Sequence, residues 1–229
     1  VAGSPFALAN SLKLGTNTAA YVAFGDPAEL DLAQFTLETW FRRDGAGASA
    51  STGSGGVTAI PLVTHGGAEQ EASTVDMNYY LGIRASDNVL CADFEEGAAG
   101  ASPGLTPPVA GVTPIANGTW YHAAVTYDGM TWKLYLNGAL ETTLAVNQPV
   151  QSSSIQHAGL GVMLTSTGAA AAHFDGAMDE VRVWNTARTV SEINASINTQ
   201  ITSAATGLVA RWALDEGAGN AVKGSAGTT

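Results

Sequence analysis

The sequence has little cysteine, little positive charge and no long hydrophobic run. Its 229 residues include a single cysteine, Cys91, which excludes an internal disulfide framework and a multi-cysteine metal site. Nine basic side chains against 20 acidic ones give a formal net charge of −11, which argues against nucleic acid or an anionic membrane as the main partner. No apolar run approaches the roughly 20 residues that span a bilayer, so membrane insertion is not expected.

The sequence does contain many short apolar segments separated by turn residues. Hydrophobic residues make up 45% of the chain and charged residues only 13%, and much of the rest is Gly, Ala, Ser and Thr. Residues 35–41 (FTLETWF) and 78–84 (NYYLGIR) largely alternate apolar with polar side chains, as a half-buried strand does. Residues 120–143 predict a three-strand meander, because an Asp-Gly and an Asn-Gly pair mark two tight hairpin turns.

A single helix is predicted near the C-terminal end of the chain. Thr189 and Glu192 have the spacing of a capping box. The apolar stripe that follows consists of Val190, Ile193, Ile197 and Ile201. Many short strands with one helix predict an all-β fold, a two-sheet antiparallel jelly-roll sandwich with one short helix near the C-terminus. No interdomain linker is evident, so residues 1–229 are predicted to form one domain.

Three segments are predicted to be long loops, at residues 45–59, 97–118 and 147–154. The first contains only Gly, Ala, Ser, Thr and one Val. Long loops are either functional rims or tolerated insertions, and this composition favours a flexible insertion for residues 45–59.

Several short strings follow one another in an order that is itself informative. They are residues 35–41 (FTLETWF), 117–122 (NGTWYH), 125–129 (VTYDG), 133–138 (KLYLNG), 174–185 (FDGAMDEVRVWN) and 187–193 (ARTVSEI). In this order they resemble the laminin G-like branch of the concanavalin A-like jelly-roll superfamily, in the form common in bacterial secreted and surface proteins. The resemblance covers about residues 12–217. It implies two antiparallel sheets packed face to face, and an extracellular or cell-surface location.

Residues 207–217 (GLVARWALDEG) resemble a strand that lies at the junction between modules in tandem arrays of this family. On that interpretation the chain is one repeat of a larger protein with flanking domains. The alternative is that the segment is simply the last strand of one domain.

Enzymes occur on this fold, so we looked in the sequence for a pair of carboxylates that could be catalytic. Laminarinase-like relatives carry a Glu-x-Asp-x-(x)-Glu strand, and retaining glycosidases hold two carboxylates about 5–5.5 Å apart. The nearest cluster, Asp93, Glu95 and Glu96, lacks this pattern, and the adjacent glutamates would point to opposite faces of an extended segment. We interpret the cluster as a solvated rim and Cys91 as a small core residue, and we expect no enzyme activity.

Calcium is the better candidate metal. The histidines, His65, His122, His157 and His173, lack the spacings typical of a transition-metal site. His122 is interpreted as structural, and His65 as structural or as a rim residue. Hard oxygen ligands suit an acidic chain. The resemblance implies that Asp179 holds a structural Ca²⁺ through its side chain and its own carbonyl, with Asn10 as a weaker candidate for a carbonyl ligand.

This calcium site has an alternative and a missing element. Asp179 could instead cap a turn or bond nearby amides. Relatives often place an Asp-Tyr pair where this chain has residues 18–21 (TAAY), so an N-terminal carboxylate ligand is in doubt.

A candidate ligand site remains after the five tryptophans are assigned to packing. The candidate ligand-binding residues are Asp76, Asn78, Tyr80, Arg84, Lys133 and Tyr135. Asn78, Tyr80 and Arg84 share one strand face, and together they offer bidentate hydrogen bonds and a stacking surface. The alternative is a solvated sheet face without a ligand.

These observations predict a non-catalytic extracellular binding or adhesion module that recognises a glycan or a surface protein, with a possible structural calcium ion. One alternative is a structural spacer repeat in a large surface protein, which the bland loops favour. A glycan-cleaving enzyme is the other, and it would require paired carboxylates across a groove.

Overall fold

The computed structural model describes residues 10–15, 20–69, 74–97 and 107–227, which fold mainly into strands. The first eight strands are β1 (Leu12–Leu14), β2 (Val22–Gly25), β3 (Phe35–Arg43), β4 (Ala50–Ser51), β5 (Thr58–His65), β6 (Tyr79–Arg84), β7 (Val89–Asp93) and β8 (Val109–Pro114). The others are β9 (Trp120–Tyr127), β10 (Thr131–Leu136), β11 (Ala139–Ala145), β12 (Ala158–Leu160), β13 (Val162–Leu164), β14 (Ala170–His173), β15 (Gly176–Trp184), β16 (Leu208–Trp212) and β17 (Gly224–Gly227). A 3-10 turn spans Ala28–Leu30, and helix α1 spans Val190–Ser196.

The strands form two antiparallel sheets, which confirms the predicted jelly-roll sandwich. The first sheet has the order β11-β10-β9-β3-β15-β16-β17, and β1 also pairs with β15. The second has the order β2-β12-β5-β6-β7-β8, and β4 pairs with β5. Strands β13 and β14 form a separate hairpin. Within the described residues, no helix is long and apolar enough to cross a membrane.

Aromatic side chains from both sheets fill the core between them. The ring of Phe35, on β3, lies 5.3 Å from that of Tyr79, on β6, and 5.5 Å from that of Trp132, on β10. All three residues are almost completely buried. Burying aromatic rings of this size supplies a large part of the hydrophobic stabilisation of a sandwich.

The predicted meander is confirmed as β9, β10 and β11. Trp132 of β10 lies opposite Tyr127 of β9 and opposite Leu144 of β11. The second turn contains Asn137 and Gly138, with φ angles of 52° and 78°. Positive φ at both positions is what a two-residue hairpin turn requires, so the Asn-Gly pair determines the register here.

The capping box of the helix is also confirmed, but its apolar stripe is shorter than predicted. Thr189 Oγ1 accepts a hydrogen bond from the Glu192 amide, and the Glu192 carboxylate accepts one from the Thr189 amide at 2.7 Å. The helix ends at Ser196, and Val190 is exposed. Of the helical residues only Ile193 is buried, because it is the side chain that packs against Ala124 and Tyr135 on the outer face of the first sheet.

Residues 45–59, predicted to be a flexible insertion, pack against the second sheet. Strand β4 lies within them and pairs with β5, and Thr52 is buried. Together with the β13–β14 hairpin, this segment covers part of the outer face of the sheet, where Tyr80, Cys91 and Met163 form a second apolar cluster. A segment of small residues can lie close to a sheet, so its composition did not indicate exposure.

The predicted loop at residues 97–118 contains a strand. Strand β8 pairs with β7, with Cys91 opposite Ala110. The central part of that loop, residues 98–106, lies outside the described residues. The same holds for Thr18 and Ala19, the first half of the segment compared above with the Asp-Tyr pair of relatives.

Candidate functional site

The structure does not bring the six predicted ligand-binding residues into one site. Asn78 is fully buried, and its amide donates hydrogen bonds to the carbonyls of Leu32 (2.9 Å) and Gln151 (2.8 Å). Tyr80 is also buried, and its hydroxyl donates to the Ala59 carbonyl at 2.9 Å. Alternation correctly placed Tyr80 away from the core, but the segments that cover the sheet remove both side chains from solvent.

The other predicted residues lie apart from these two. Lys133 and Tyr135 belong to β10 in the first sheet, whereas Tyr80 belongs to the second. Tyr135 is buried against Ile193 of α1, and Lys133 is exposed. Arg84 pairs with Asp87, with 2.5 Å between the charged atoms. Asp76 lies half-buried in the turn before β6. Ligand binding by Arg84, Lys133 or Asp76 stays a prediction.

The Asp93–Glu96 cluster is not the solvated rim that was expected. Asp93 and Glu95 are both almost completely buried. Thr52 Oγ1 donates to Asp93 Oδ2 at 2.6 Å. Burial raises the pKa of Asp93 to about 7, although hydrogen bonds from Thr52 and the Phe94 amide act in the opposite direction. A carboxylate sequestered in this way does not face a groove.

The first predicted calcium ligand, Asp179, lies at a junction of the first sheet, and Asn10 precedes one of the strands that meet there. Strand β15 pairs with β1 up to Met178 and with β16 from Val181 onward, so Asp179 lies where its neighbour changes. Asn10 precedes β1, and its amide donates to the Asp215 carbonyl at 3.3 Å. Asp215 follows β16, and its Oδ1 is buried with no hydrogen-bond partner among the described residues. Calcium at this junction stays a prediction.

A network of buried charges occupies the outer face of the first sheet. Glu38 is fully buried, and its Oε1 accepts hydrogen bonds from Trp184 Nε1 (2.6 Å) and Arg188 (2.5 Å). Its Oε2 lies 3.5 Å from His122 Nε2. Burial disfavours the charged form of Glu38, but the contact with His122 and the nearby guanidinium groups outweigh this effect and hold its pKa below its ordinary value. His122, interpreted from the sequence as structural, is buried within this network.

A groove of about 240 Å³ lies between the loop after β2 and the strands β16 and β17. Residues along its walls include Phe24, Pro27, Glu29, Leu30, Trp212 and Val222. The rings of Phe24 and Trp212 stack with their centroids 4.3 Å apart and their planes at 19°. Glu29 is exposed, whereas Arg211 is buried and donates hydrogen bonds from Nε and Nη2 to the two carboxylate oxygens of Glu180. The groove therefore combines an aromatic wall with one accessible carboxylate.

The loop that supplies part of the groove wall also carries a polar cluster. Ala158 of β12 pairs with Gly25 of β2 on one side and with His65 of β5 on the other, so Asp26 lies one strand away from His65. The 3-10 turn that follows brings Asp31 close to Asp26 and His65. One ligand atom from each of Asp26, Asp31 and His65 lies within 4.8 Å of the others, a set that could bind a metal ion.

Sequence reasoning missed both the groove and this cluster. Residues 25–31 (GDPAELD) place acidic residues at both ends of a short turn, which was the available local pattern. Because His65 comes from a separate strand, histidine spacing did not reveal it. Trp212 was assigned to the core, and it is indeed almost completely buried, with its stacked partner Phe24 only half-buried.

Several solved structures share this fold. A Bacteroides ovatus protein assigned to carbohydrate binding is 18% identical with a TM-score of 0.59; the match covers 95% of this chain and 52% of that one, so this chain spans about half its length. The CBM40 of Ruminococcus gnavus IT-sialidase, bound to α2,3-sialyllactose, is 15% identical with a TM-score of 0.57, covering 81% of this chain and 95% of that one. A second structure of that CBM40 has 14% identity and a TM-score of 0.54, with the same coverage.

No curated protein matches this chain by sequence. A family model of laminin G type does match, over residues 15–194, which is well over half of the chain. This match agrees with the two-sheet sandwich and with the order of strands described above. The chain belongs to the concanavalin A-like lectin/glucanases superfamily.

Proposed function

We propose that this chain is a non-catalytic carbohydrate-binding module that binds a saccharide in the groove beside Phe24 and Trp212. The observation that carries the proposal is the aromatic stack in an open, mostly apolar groove. A sugar ring has an apolar face that packs on an aromatic ring, and ligand sites typically combine such apolar walls with a few polar groups. The family, and the carbohydrate-binding proteins that share the fold, support the same class of ligand.

The charges around the groove favour an uncharged saccharide. Arg211 is the basic residue on the described walls, and Glu180 already neutralises it. Glu29 is exposed beside it, and the chain as a whole carries a net charge of −11. A carboxylated sugar would meet repulsion from these charges without a free cation on the described walls to offset it. We therefore expect neutral glycans to bind better than sialylated ones.

The same walls support binding without cleavage. Glycoside hydrolysis usually needs two carboxyl groups on either side of the scissile bond. Among the described residues that line the groove, Glu29 is the only carboxylate. Asp93 and Glu95, the nearest sequence-based candidates, are buried elsewhere. An adhesive role on an extracellular or cell-surface protein with flanking domains is the setting we propose for such a module.

A structural calcium ion at the Asp179 junction is part of the proposal. The donors there are carboxylate, amide and carbonyl oxygens, the ligands that Ca²⁺ prefers, and the orphaned Oδ1 of Asp215 would gain a partner. The ion would hold the ends of β1 and β16 together. Millimolar Ca²⁺ is expected to raise the Tm of the wild type relative to EDTA, and to do so less in Asp215→Asn. An unchanged wild-type Tm would argue against the site.

A glycan array followed by calorimetry tests the saccharide proposal. Wild-type protein is expected to bind neutral glycans. Phe24→Leu is expected to lower the affinity for the best ligand at least about tenfold, because the substitution keeps an apolar side chain but loses the aromatic face. Leu140→Ala, an exposed residue of β11, is the control and should bind as the wild type does. Binding unchanged in Phe24→Leu would remove the groove from the proposal. If no glycan on the array bound, the result would instead favour the alternative function, a structural spacer repeat.

A further inference from the structure

The cluster of Asp26, Asp31 and His65 has a geometry that saccharide binding does not explain. Asp26 and Asp31 stand at the two ends of the loop that contains the 3-10 turn, and His65 is the last residue of β5. The turn is closed by hydrogen bonds from the Leu30 amide to the Pro27 carbonyl (2.8 Å) and from the Asp31 amide to the Ala28 carbonyl (3.3 Å). The loop thus presents two carboxylates to one imidazole.

The imidazole of His65 is held in one orientation. It is completely buried, and its ring packs edge-on against Tyr79 with the centroids 5.6 Å apart. Its Nδ1 lies 3.2 Å from the Leu30 carbonyl oxygen. Because a carbonyl only accepts, Nδ1 must be the donor in this contact, which leaves the lone pair of Nε2 available on the side of Asp26. Asp31 Oδ1 lies 3.9 Å from Nδ1 of the same ring. A backbone carbonyl on the second nitrogen is the usual way in which proteins orient a metal-binding histidine.

Two atoms of the cluster are buried and have no hydrogen-bond partner among the described residues. They are His65 Nε2 and Asp31 Oδ1. Nε2 lies 3.5 Å from Asp26 Oδ1, which is too long for a good hydrogen bond. Buried polar atoms without partners are rare in native proteins, and an ion or a water molecule often explains them. Here both unsatisfied atoms belong to the same three-residue cluster, and both can donate an electron pair.

We propose that Asp26, Asp31 and His65 bind a divalent transition-metal cation of the Zn²⁺ type. Zinc binds imidazole nitrogen and carboxylate oxygen at about 2.0–2.2 Å, so two ligands at a tetrahedral angle lie about 3.4 Å apart. The 3.5 Å between Nε2 and Asp26 Oδ1 matches this separation. Ca²⁺ fits less well, since it takes six to eight oxygen ligands and this set contains a nitrogen.

One side of the proposed metal site is open to solvent, and a bound ion would link two segments of the chain. The side chain of Asp26 is 36% exposed, so solvent can supply the fourth ligand. A bound ion would tie the loop that follows β2 to the end of β5. Pro27, Glu29 and Leu30 of this loop also line the groove, but the metal site does not depend on saccharide binding there.

Calorimetry and thermal unfolding of the chelator-treated chain, with ZnCl₂ as the probe, test the proposal. The wild type is expected to bind one Zn²⁺ and to gain Tm on addition of the ion. Asp26→Asn removes a ligand from an exposed position and should weaken binding at least about tenfold, given that loss of even an outer partner costs about 10–100-fold. Asp31→Asn should do the same. Glu29→Gln is the matched control, because it removes a charge from the same loop without touching the cluster, and it should bind Zn²⁺ as the wild type does.

The outcomes separate this site from the others. If Zn²⁺ neither binds the wild type at one equivalent nor raises its Tm, the proposal is wrong. Equal affinity in Asp26→Asn and the wild type would also overturn it, since the ion would then bind elsewhere. If Glu29→Gln weakened Zn²⁺ binding as severely as Asp26→Asn does, the effect of Asp26→Asn would come from the net charge of the loop and not from loss of a ligand. That result would also contradict the proposal. Glycan binding is measured separately, so its failure would leave the zinc result intact.

Discussion

Replacing Asp93 with Asn is expected to remove a pH-dependent loss of stability. The side chain is completely buried under residues 45–59. Its Oδ2 accepts from Thr52 Oγ1 at 2.6 Å, and its Oδ1 accepts from the Phe94 amide at 3.0 Å. Burial outweighs these hydrogen bonds and raises the pKa of Asp93 from 3.8 to about 7. The charged form is therefore disfavoured in the folded state.

The folded chain binds this proton more tightly than the unfolded chain does. Below about pH 4 the carboxyl group is neutral in both states, and no penalty arises. Between about pH 4 and pH 7 the unfolded chain is ionised while the folded chain keeps the proton, so the free energy of unfolding falls by up to about 1.4 kcal/mol per pH unit. The raised pKa of Asp93 corresponds to a loss of about 4 kcal/mol, which is complete above pH 7.

Urea denaturation at pH 5, 6, 7 and 8 measures this loss. The Asn amide resembles the protonated carboxyl, because the Thr52 hydroxyl can accept from it and donate to the Val57 carbonyl, 3.1 Å away. The stability of Asp93→Asn relative to the wild type should grow by about 3 kcal/mol between pH 5 and pH 8. Asp87→Asn is the control, since contact with Arg84 lowers the pKa of the exposed Asp87 and its effect should be flat over this range. Parallel pH profiles for the wild type and Asp93→Asn would refute the reasoning.

Two further predictions concern the first sheet and its helix, and both are measured by urea denaturation. Glu38→Gln should lower the free energy of unfolding by about 3–5 kcal/mol at pH 7, because it removes the counter-charge of the largely buried Arg188, whereas Arg182 keeps its ion pair with Glu180. Since the pKa of Glu38 is lowered in the folded state, this advantage of the wild type should be lost as the pH falls through the folded pKa; a difference that persists unchanged at low pH would contradict it. Thr189→Ala should cost about 1 kcal/mol through loss of the helix cap, whereas the exposed Ser191→Ala should change stability by less than about 0.5 kcal/mol; equal effects would contradict the role of the cap.

Local patterns in the sequence were enough to predict most of the strands. The alternation at residues 35–41 became part of β3, and the Asp-Gly and Asn-Gly pairs became the turns of the meander. Thr189 and Glu192 formed the capping box that their spacing predicted. These features depend on the φ and ψ preferences of neighbouring residues and on the alternation of buried and exposed side chains along a strand. Both can be recognised within a short segment of sequence.

The candidate site was predicted much less well, because alternation assigns a side chain to a face but not to what covers that face. Tyr80 does point away from the core, yet residues 45–59 and the β13–β14 hairpin cover part of that face. Lys133 and Tyr135 lie in the other sheet, so strand order separated them from Tyr80. Asp93 was expected to be solvated and is buried for the same reason.

The sequence by itself determined the strands, the tight turns, the helix cap and, through the order of its motifs, the family. Only the tertiary structure decided which polar side chains meet. Asp26 and Asp31 are close along the chain, but His65 reaches them because Ala158 pairs with the ends of both β2 and β5. Phe24 and Trp212 likewise stack across elements that are far apart in sequence. Such contacts depend on long-range strand order, which arises from packing the whole sandwich and not from the preferences of any one segment.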